Sequence, residues 1–174
     1  MNAVFDFDKQ HAASQTAEVH ALVRRVMFEK FDGELLSIHA SHTENDKRGS
    51  DYLLEFHNGK VEHLDVKNRT IDYYPKANAP IEYRTGQKDG WTIDTSKITD
   101  WVLFLYLDTE RASLHSARML RTVARIHRDQ WQHTHQQSTQ VSTGGYSSPC
   151  VYLTDHELWA AEYKHFAYHK TVNA

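Results

Sequence analysis

Between residues 15 and 31 apolar side chains return every third or fourth position (Val19, Leu22, Val23, Val26, Met27), the period of a helix that buries one face. Ser14 or Thr16 is placed to cap its start, and Gly33 follows its end as a stop signal. Residues 34–39 read as a short strand and 43–50 as a polar, charged connection. The runs 51–56 and 60–69 then alternate, with His57-Asn58-Gly59 between them, and Asn-Gly between alternating runs is a strong hairpin signal. Pro75, Pro80 and nearby turn formers make 75–97 an irregular excursion. The unbroken apolar run 101–107 predicts a central strand buried on both faces.

Further along, the spacing predicts one helix over 110–131, with Ala112, Met119, Leu120, Val123 and Ala124 as its apolar stripe. Residues 136–149 are polar and rich in Gly and Ser, as in a loop, and 151–153 suit a short edge strand. Thr154 to Glu157 form a capping box that opens a last helix, expected to bury Leu158, Trp159, Tyr163 and Phe166. There is no internal repeat. The whole predicts a single α/β domain over 1–174, a mixed sheet flanked by helices, with its core at about 15–131 and 132–174 packed on it.

Composition narrows the class. At 174 residues, 40% apolar and 25% charged, the chain has the make-up of a globular domain. A formal charge of −3 argues against a histone-like binder, but a local basic stripe is enough to track a phosphate backbone. With Cys150 alone, neither an internal disulfide nor a cysteine-based zinc knuckle is available. No apolar run approaches the roughly 20 residues of a membrane span, and Met1 to Gln10 carry acids where a secretory leader is basic and then apolar. A cytoplasmic location is expected.

Chemistry concentrates in the hairpin. Asp65 and Lys67 lie two apart on a strand and project together. A two-residue loop at Asn58-Gly59 would turn Asp51 away from them. A three-residue loop His57-Asn58-Gly59, closed by a left-handed Gly59, would set Asp51 opposite Asp65. Opposed carboxylates repel, and a hard divalent cation with oxygen ligands relieves that repulsion. A neighbouring lysine supplies positive charge to a phosphodiester as negative charge develops on it. The two-strand pattern by itself is equally that of a solvated hairpin with a salt bridge. Glu162-Tyr163-Lys164 repeats the acid-x-Lys spacing on a helix, where the two side chains diverge.

Taken together, Glu18 on the first helix, Gly33, Gly49-Ser50-Asp51-Tyr52-Leu53, Asn58-Gly59 and Leu64-Asp65-Val66-Lys67-Asn68-Arg69 resemble the PD-(D/E)XK nucleases. The closest likeness is to the small Holliday-junction-resolvase-like members. The resemblance covers about 15–107, with Ser50 where the name-giving proline stands and Asp65 in place of the commoner glutamate. It implies a restriction-endonuclease-like fold and hydrolysis of DNA phosphodiesters. Asp51 and Asp65 would bind Mg²⁺, with Mn²⁺ able to substitute, and Lys67 would assist the attacking water. The family's glutamate sits early in the helix, which implies Glu18 over Glu29 on the same edge of the stripe. Arg69, on the face of Lys67, would touch the scissile phosphate or form a salt bridge.

Arg118, Arg121, Arg125 and Arg128 fall on one face of the predicted 110–131 helix with no acid among them, an arrangement suited to phosphates. His127, inside the apolar stripe, reads as a hydrogen-bonded core residue. The pairs His133/His135 and His165/His169 have metal-binding spacing without a third ligand, and the excess of 13 histidines has no account in the sequence. The functions in contention are an endonuclease, a nuclease fold that only binds nucleic acid, and a His-rich metal-binding protein. Intact Asp51, Asp65 and Lys67 favour the first, with nucleic acid (DNA before RNA) as partner, and a homodimer is compatible with it.

Overall fold

The computed structural model of the chain describes residues 16–72, 76, 79–135, 137–141 and 147–172. In chain order the elements are α1 (Ala17–Lys30), β1 (Leu35–Ala40), α2 (Thr43–Lys47), β2 (Tyr52–Phe56) and β3 (Val61–Arg69). Next come β4 (Ala79–Glu82), β5 (Arg84–Thr85), β6 (Lys88–Asp89), β7 (Trp101–Tyr106) and β8 (Arg111–Ser116). Then follow α3 (Ala117–Ile126), α4 (Arg128–Thr134), β9 (Gln137–Val141), β10 (Ser147–Leu153) and α5 (Asp155–Val172). The described elements gather into two compact units. No helix among the described residues is long and apolar enough to cross a membrane.

The first unit holds α1, α2 and a five-stranded mixed sheet in the order β1-β2-β3-β7-β8. β3 and β7 run parallel, and every other pairing in this sheet is antiparallel. α1 forms where the 3.6-residue period predicts it. Thr16 caps it by accepting the Val19 N–H on Oγ1 at 3.3 Å, a contact worth about 1 kcal/mol. Past its end Gly33 takes φ +70°, the left-handed stop that glycine adopts without cost. Val19, Val23, Val26 and Met27 pack in one core with Leu35, Ile38, Tyr52, Leu54, Phe56 and Leu64. β7 is buried from Val102 to Tyr106, as its unbroken apolar run requires.

The second unit carries a three-stranded sheet, β4-β10-β9, the small β5-β6 hairpin, and helices α3, α4 and α5. Several expectations fail here and at its border. Residues 110–131 are not one helix: 111–116 form β8, whose backbone groups pair the free edge of β7, and helix begins only at Ala117. Glu110 at φ +53° makes the turn that returns the chain as a strand. The polar 136–149 stretch contributes β9 and part of β10, and β10 is the middle strand of its sheet, not an edge. Pro149 is tolerated there because β4 pairs only from Cys150 onward. Within the irregular 75–97 segment lie β4, β5 and β6, and the polar 43–50 connection contains α2.

The capping box at α5 forms as expected. Thr154 N–H donates to Glu157 Oε2 at 2.8 Å and Glu157 N–H to Thr154 Oγ1 at 3.1 Å. Of the side chains assigned to its buried face, Leu158 is buried. Trp159 is 49% and Tyr163 77% exposed, the buried place being taken by Glu162, and Phe166 lies outside the described side chains.

Candidate active site in the β2–β3 hairpin

The turn decides where the acids meet. Phe56 N–H donates to Lys60 O at 2.9 Å and Gly59 N–H to Phe56 O at 2.9 Å, with Gly59 at φ +81°. The loop is therefore His57-Asn58-Gly59, further closed by Asn58 Oδ1 accepting the Lys60 N–H at 2.9 Å. That register carries outward through Glu55↔Val61 and Leu54↔Glu62 to Tyr52↔Leu64, where the ladder ends, and Asp51 follows directly beside Leu64, within reach of the Val66 N–H and of the charge of Asp65. Of the two loops open to the sequence, the structure adopts the one that brings the carboxylates together.

At Asp51 the β2–β3 ladder ends in an unusual way. Asp51 N–H still donates to Leu64 O at 2.8 Å, but the next donor on β3, Val66 N–H, goes to the Asp51 carboxylate, Oδ2, at 2.6 Å. The side chain thus replaces a missing backbone acceptor. On its other flank Ser41 N–H donates to Asp51 O at 2.8 Å, which fixes the aspartate between β1 and β3. Lys67 Nζ meets Asp65 Oδ1 at 2.8 Å, with the Asp65 side chain only 6% exposed.

Burial, then the charge of Asp65, pushes the Asp51 carboxyl well above the usual carboxylate range. Lys67 and the Val66 N–H pull in the opposite direction without cancelling this. Asp46, on α2, also hydrogen-bonds the Asp51 carboxyl and raises it further. Three acids thus meet one ammonium group, and the excess negative charge calls for a proton or a cation. Asp46 is the member that sequence reasoning missed. Its only signal is an acid five residues before Asp51, inside a stretch read as a connection.

The loop before Asp51 is held by the segment that enters β7. Ile98 N–H donates to Arg48 O at 3.1 Å, Lys97 Nζ to Lys47 O at 2.9 Å, and Thr99 Oγ1 to Gly49 O. Gly49 has φ +82°, and a Cβ there would stand 2.8 Å from Thr99 Oγ1 and 3.2 Å from Lys97 Cδ. The glycine of the Gly-x-Asp motif is demanded twice, by dihedral and by space.

The remaining expected site residues are distributed as follows. Glu18 and Glu29 are both exposed on α1, and the helix reaches β2 through His20, whose Nδ1 lies 2.5 Å from Tyr52 Oη. Arg69 is half-buried on β3 beside Tyr106 of β7. The arginine face belongs to the second unit and is broken. Arg118, Arg121 and Arg125 are on α3, whereas Arg128 opens α4 after a turn at His127. Arg118 and Arg125 are exposed; Arg125 Nη2 donates to Ile93 O at 2.6 Å, and Arg128 lies 5.5 Å over the Tyr83 ring. His127 is not a core residue; it is half-buried and stacks on Trp131 at 5.2 Å. His133 bonds Asp129 O and His135 bonds Glu157, and His169 lies outside the described side chains.

Among the described residues no three His, Cys, Asp or Glu side chains form a preformed metal-binding group. A pair of carboxylates such as Asp51 and Asp65 could hold a hard cation that keeps water and phosphate oxygens as its other ligands. No family model, no curated protein and no solved structure matches the chain.

Proposed function

We propose that the protein is a metal-dependent endonuclease of the PD-(D/E)XK kind, acting on DNA, with a restriction-endonuclease-like fold in its five-stranded unit. The observation that carries this reading is the meeting of Asp51 with the acid-lysine pair of β3: its carboxylate accepts the Val66 N–H at 2.6 Å beside the charge of Asp65, and Lys67 Nζ lies 2.8 Å from Asp65 Oδ1. A charge-rich solvated hairpin would leave its acids in water. Here Asp65 is 4% exposed and Asp51 is held by the Val66 N–H, an arrangement costly for the free protein and useful to a cation.

Mg²⁺, or Mn²⁺ in its place, would be held by Asp51 and Asp65 and would supply charge neutralisation at the scissile phosphate. In hydrolysis a water oxygen bonds to phosphorus, the bond from phosphorus to the leaving sugar oxygen breaks, and that oxygen takes up a proton. Lys67, paired with Asp65, would hydrogen-bond the water or the phosphate oxygen on which charge grows. Arg69, two residues on, extends the same strand face towards a neighbouring phosphate. The exposed Arg118 and Arg125 are further phosphate-binding groups in this reading. The protein would work in the cytoplasm.

The test is cleavage of duplex, branched and single-stranded DNA, and of RNA, with and without Mg²⁺, using Lys67→Ala as control. Metal-dependent cleavage that the control loses supports the reading. Absence of cleavage on every substrate with either Mg²⁺ or Mn²⁺ overturns it.

A further inference from the structure

One side chain on the acid face has no part in the reading above. β3 alternation puts His63 on the same side of the strand as Asp65 and Lys67, and its ladder partner is Leu53. Its ring is anchored: Nδ1 lies 3.0 Å from the hydroxyl of Ser50, a fully buried residue directly before Asp51.

The hydrogens in this network can be assigned by counting. Ser50 Oγ has three neighbours: Tyr52 O at 3.2 Å, Ser41 Oγ at 2.9 Å and His63 Nδ1 at 3.0 Å. A carbonyl oxygen only accepts, so the single Ser50 hydrogen goes to Tyr52 O. The two Ser50 lone pairs are then filled by Ser41 O–H and by His63 Nδ1–H. A neutral imidazole with its hydrogen on Nδ1 carries a lone pair on Nε2. Among the described residues Nε2 meets no hydrogen-bond partner.

Distances decide what that lone pair does. Residues two apart on a strand are separated by about 7 Å. A cation bound at about 2.1 Å to Asp65 carries waters that donate over a further ~2.8 Å. That span suits a nitrogen in the outer shell better than direct ligation. We propose that His63 is a positioning residue for the cation, its Nε2 accepting a hydrogen bond from a water bound to the metal between Asp51 and Asp65. Ser50, in the motif position before Asp51, fixes the tautomer. The inference rests on the metal reading of Asp51 and Asp65 and adds His63 and Ser50 to it.

The experiment combines ¹⁵N NMR of the His63 ring with Mn²⁺ titration of the folded, full-length protein. The metal-free parent should show a protonated Nδ1 and a bare Nε2, and Ser50→Ala should lose that preference. His63→Ala should weaken Mn²⁺ binding roughly tenfold or more, as loss of an outer-shell partner does. His63→Gln, whose amide oxygen stands in for Nε2, should stay near the parent, and Asp65→Asn should abolish binding. A hydrogen on Nε2 in the parent overturns the proposal. So does parent-like Mn²⁺ affinity in His63→Ala while Asp65→Asn binds none, a result that leaves the metal reading standing. A parent that binds no Mn²⁺ removes both.

Discussion

The Asp51 carboxylate accepts the backbone N–H of Val66 at 2.6 Å, where the adjoining ladder would supply a carbonyl oxygen. One residue therefore ends the β2–β3 pairing, satisfies a strand donor and presents a charge beside Asp65. Its amide counterpart keeps the accepting oxygen, so Asn at 51 separates the charge of this side chain from its structural role.

Charge at Asp51 opposes the metal-free fold. The carboxyl is raised in the folded state above its ordinary value of 3.8 by burial and by Asp65. The folded protein thus binds this proton more tightly than the unfolded chain does. Its contribution favours folding below the unfolded pKa and is lost as pH climbs from there through the raised folded pKa. Asp51→Asn should therefore unfold at higher temperature than the parent near neutral pH, with the gap closing towards acid. Thermal melts from pH 3 to 8 without divalent cation measure this, and a gap that does not change with pH contradicts it.

Lys67 and the two aspartates should fail in different ways. Lys67→Ala should retain metal and substrate binding while its single-turnover cleavage rate falls by roughly a hundredfold, as for a lost transition-state donor. Asp51→Asn and Asp65→Asn should instead lose the metal, with little recovery in excess Mg²⁺. Parallel cleavage and metal titrations distinguish the two modes; cleavage by Lys67→Ala at the parent rate would remove it from the mechanism.

Gly49 should tolerate nothing larger. At φ +82°, with Thr99 Oγ1 2.8 Å from the site of a Cβ, Gly49→Ala combines a left-handed penalty with a steric one. The expected loss is about 2 kcal/mol or more. Chemical denaturation of the pair reads it directly, and a loss under half of that would mean the 95–100 segment moves aside freely.

Phosphate contact by the exposed arginines predicts a salt signature. Arg118→Ala with Arg125→Ala should weaken DNA binding similarly across sequences and reduce the slope of log K against log salt by about one unit per lost contact. Arg125 also holds Ile93 O, so the Arg118→Ala single variant separates binding from folding. An unchanged slope in both would make this a solvated face.

Local chemistry alone determined much of the first unit. The apolar period of α1, the β7 run and the Asp65/Lys67 alternation depend only on residue types at fixed spacing, and each element forms where the sequence predicts it. The Thr154 capping box is equally local. What depended on partners distant in sequence was not legible. Two loop lengths were open to His57-Asn58-Gly59, and only the ladder with Lys60 selects the three-residue one, with Asp51 then held beside β3 near the charge of Asp65. Residues 111–116 carry no strand signal strong enough to stand against the helical pattern after them; they are extended because β7 leaves backbone donors and acceptors to be paired. Asp46 approaches Asp51, and His63 approaches Ser50, only because α2 and the hairpin converge there. Composition and periodicity report which face of an element is buried. Which polar groups meet on the other face is set by register and by loop closure, quantities that belong to the assembled fold.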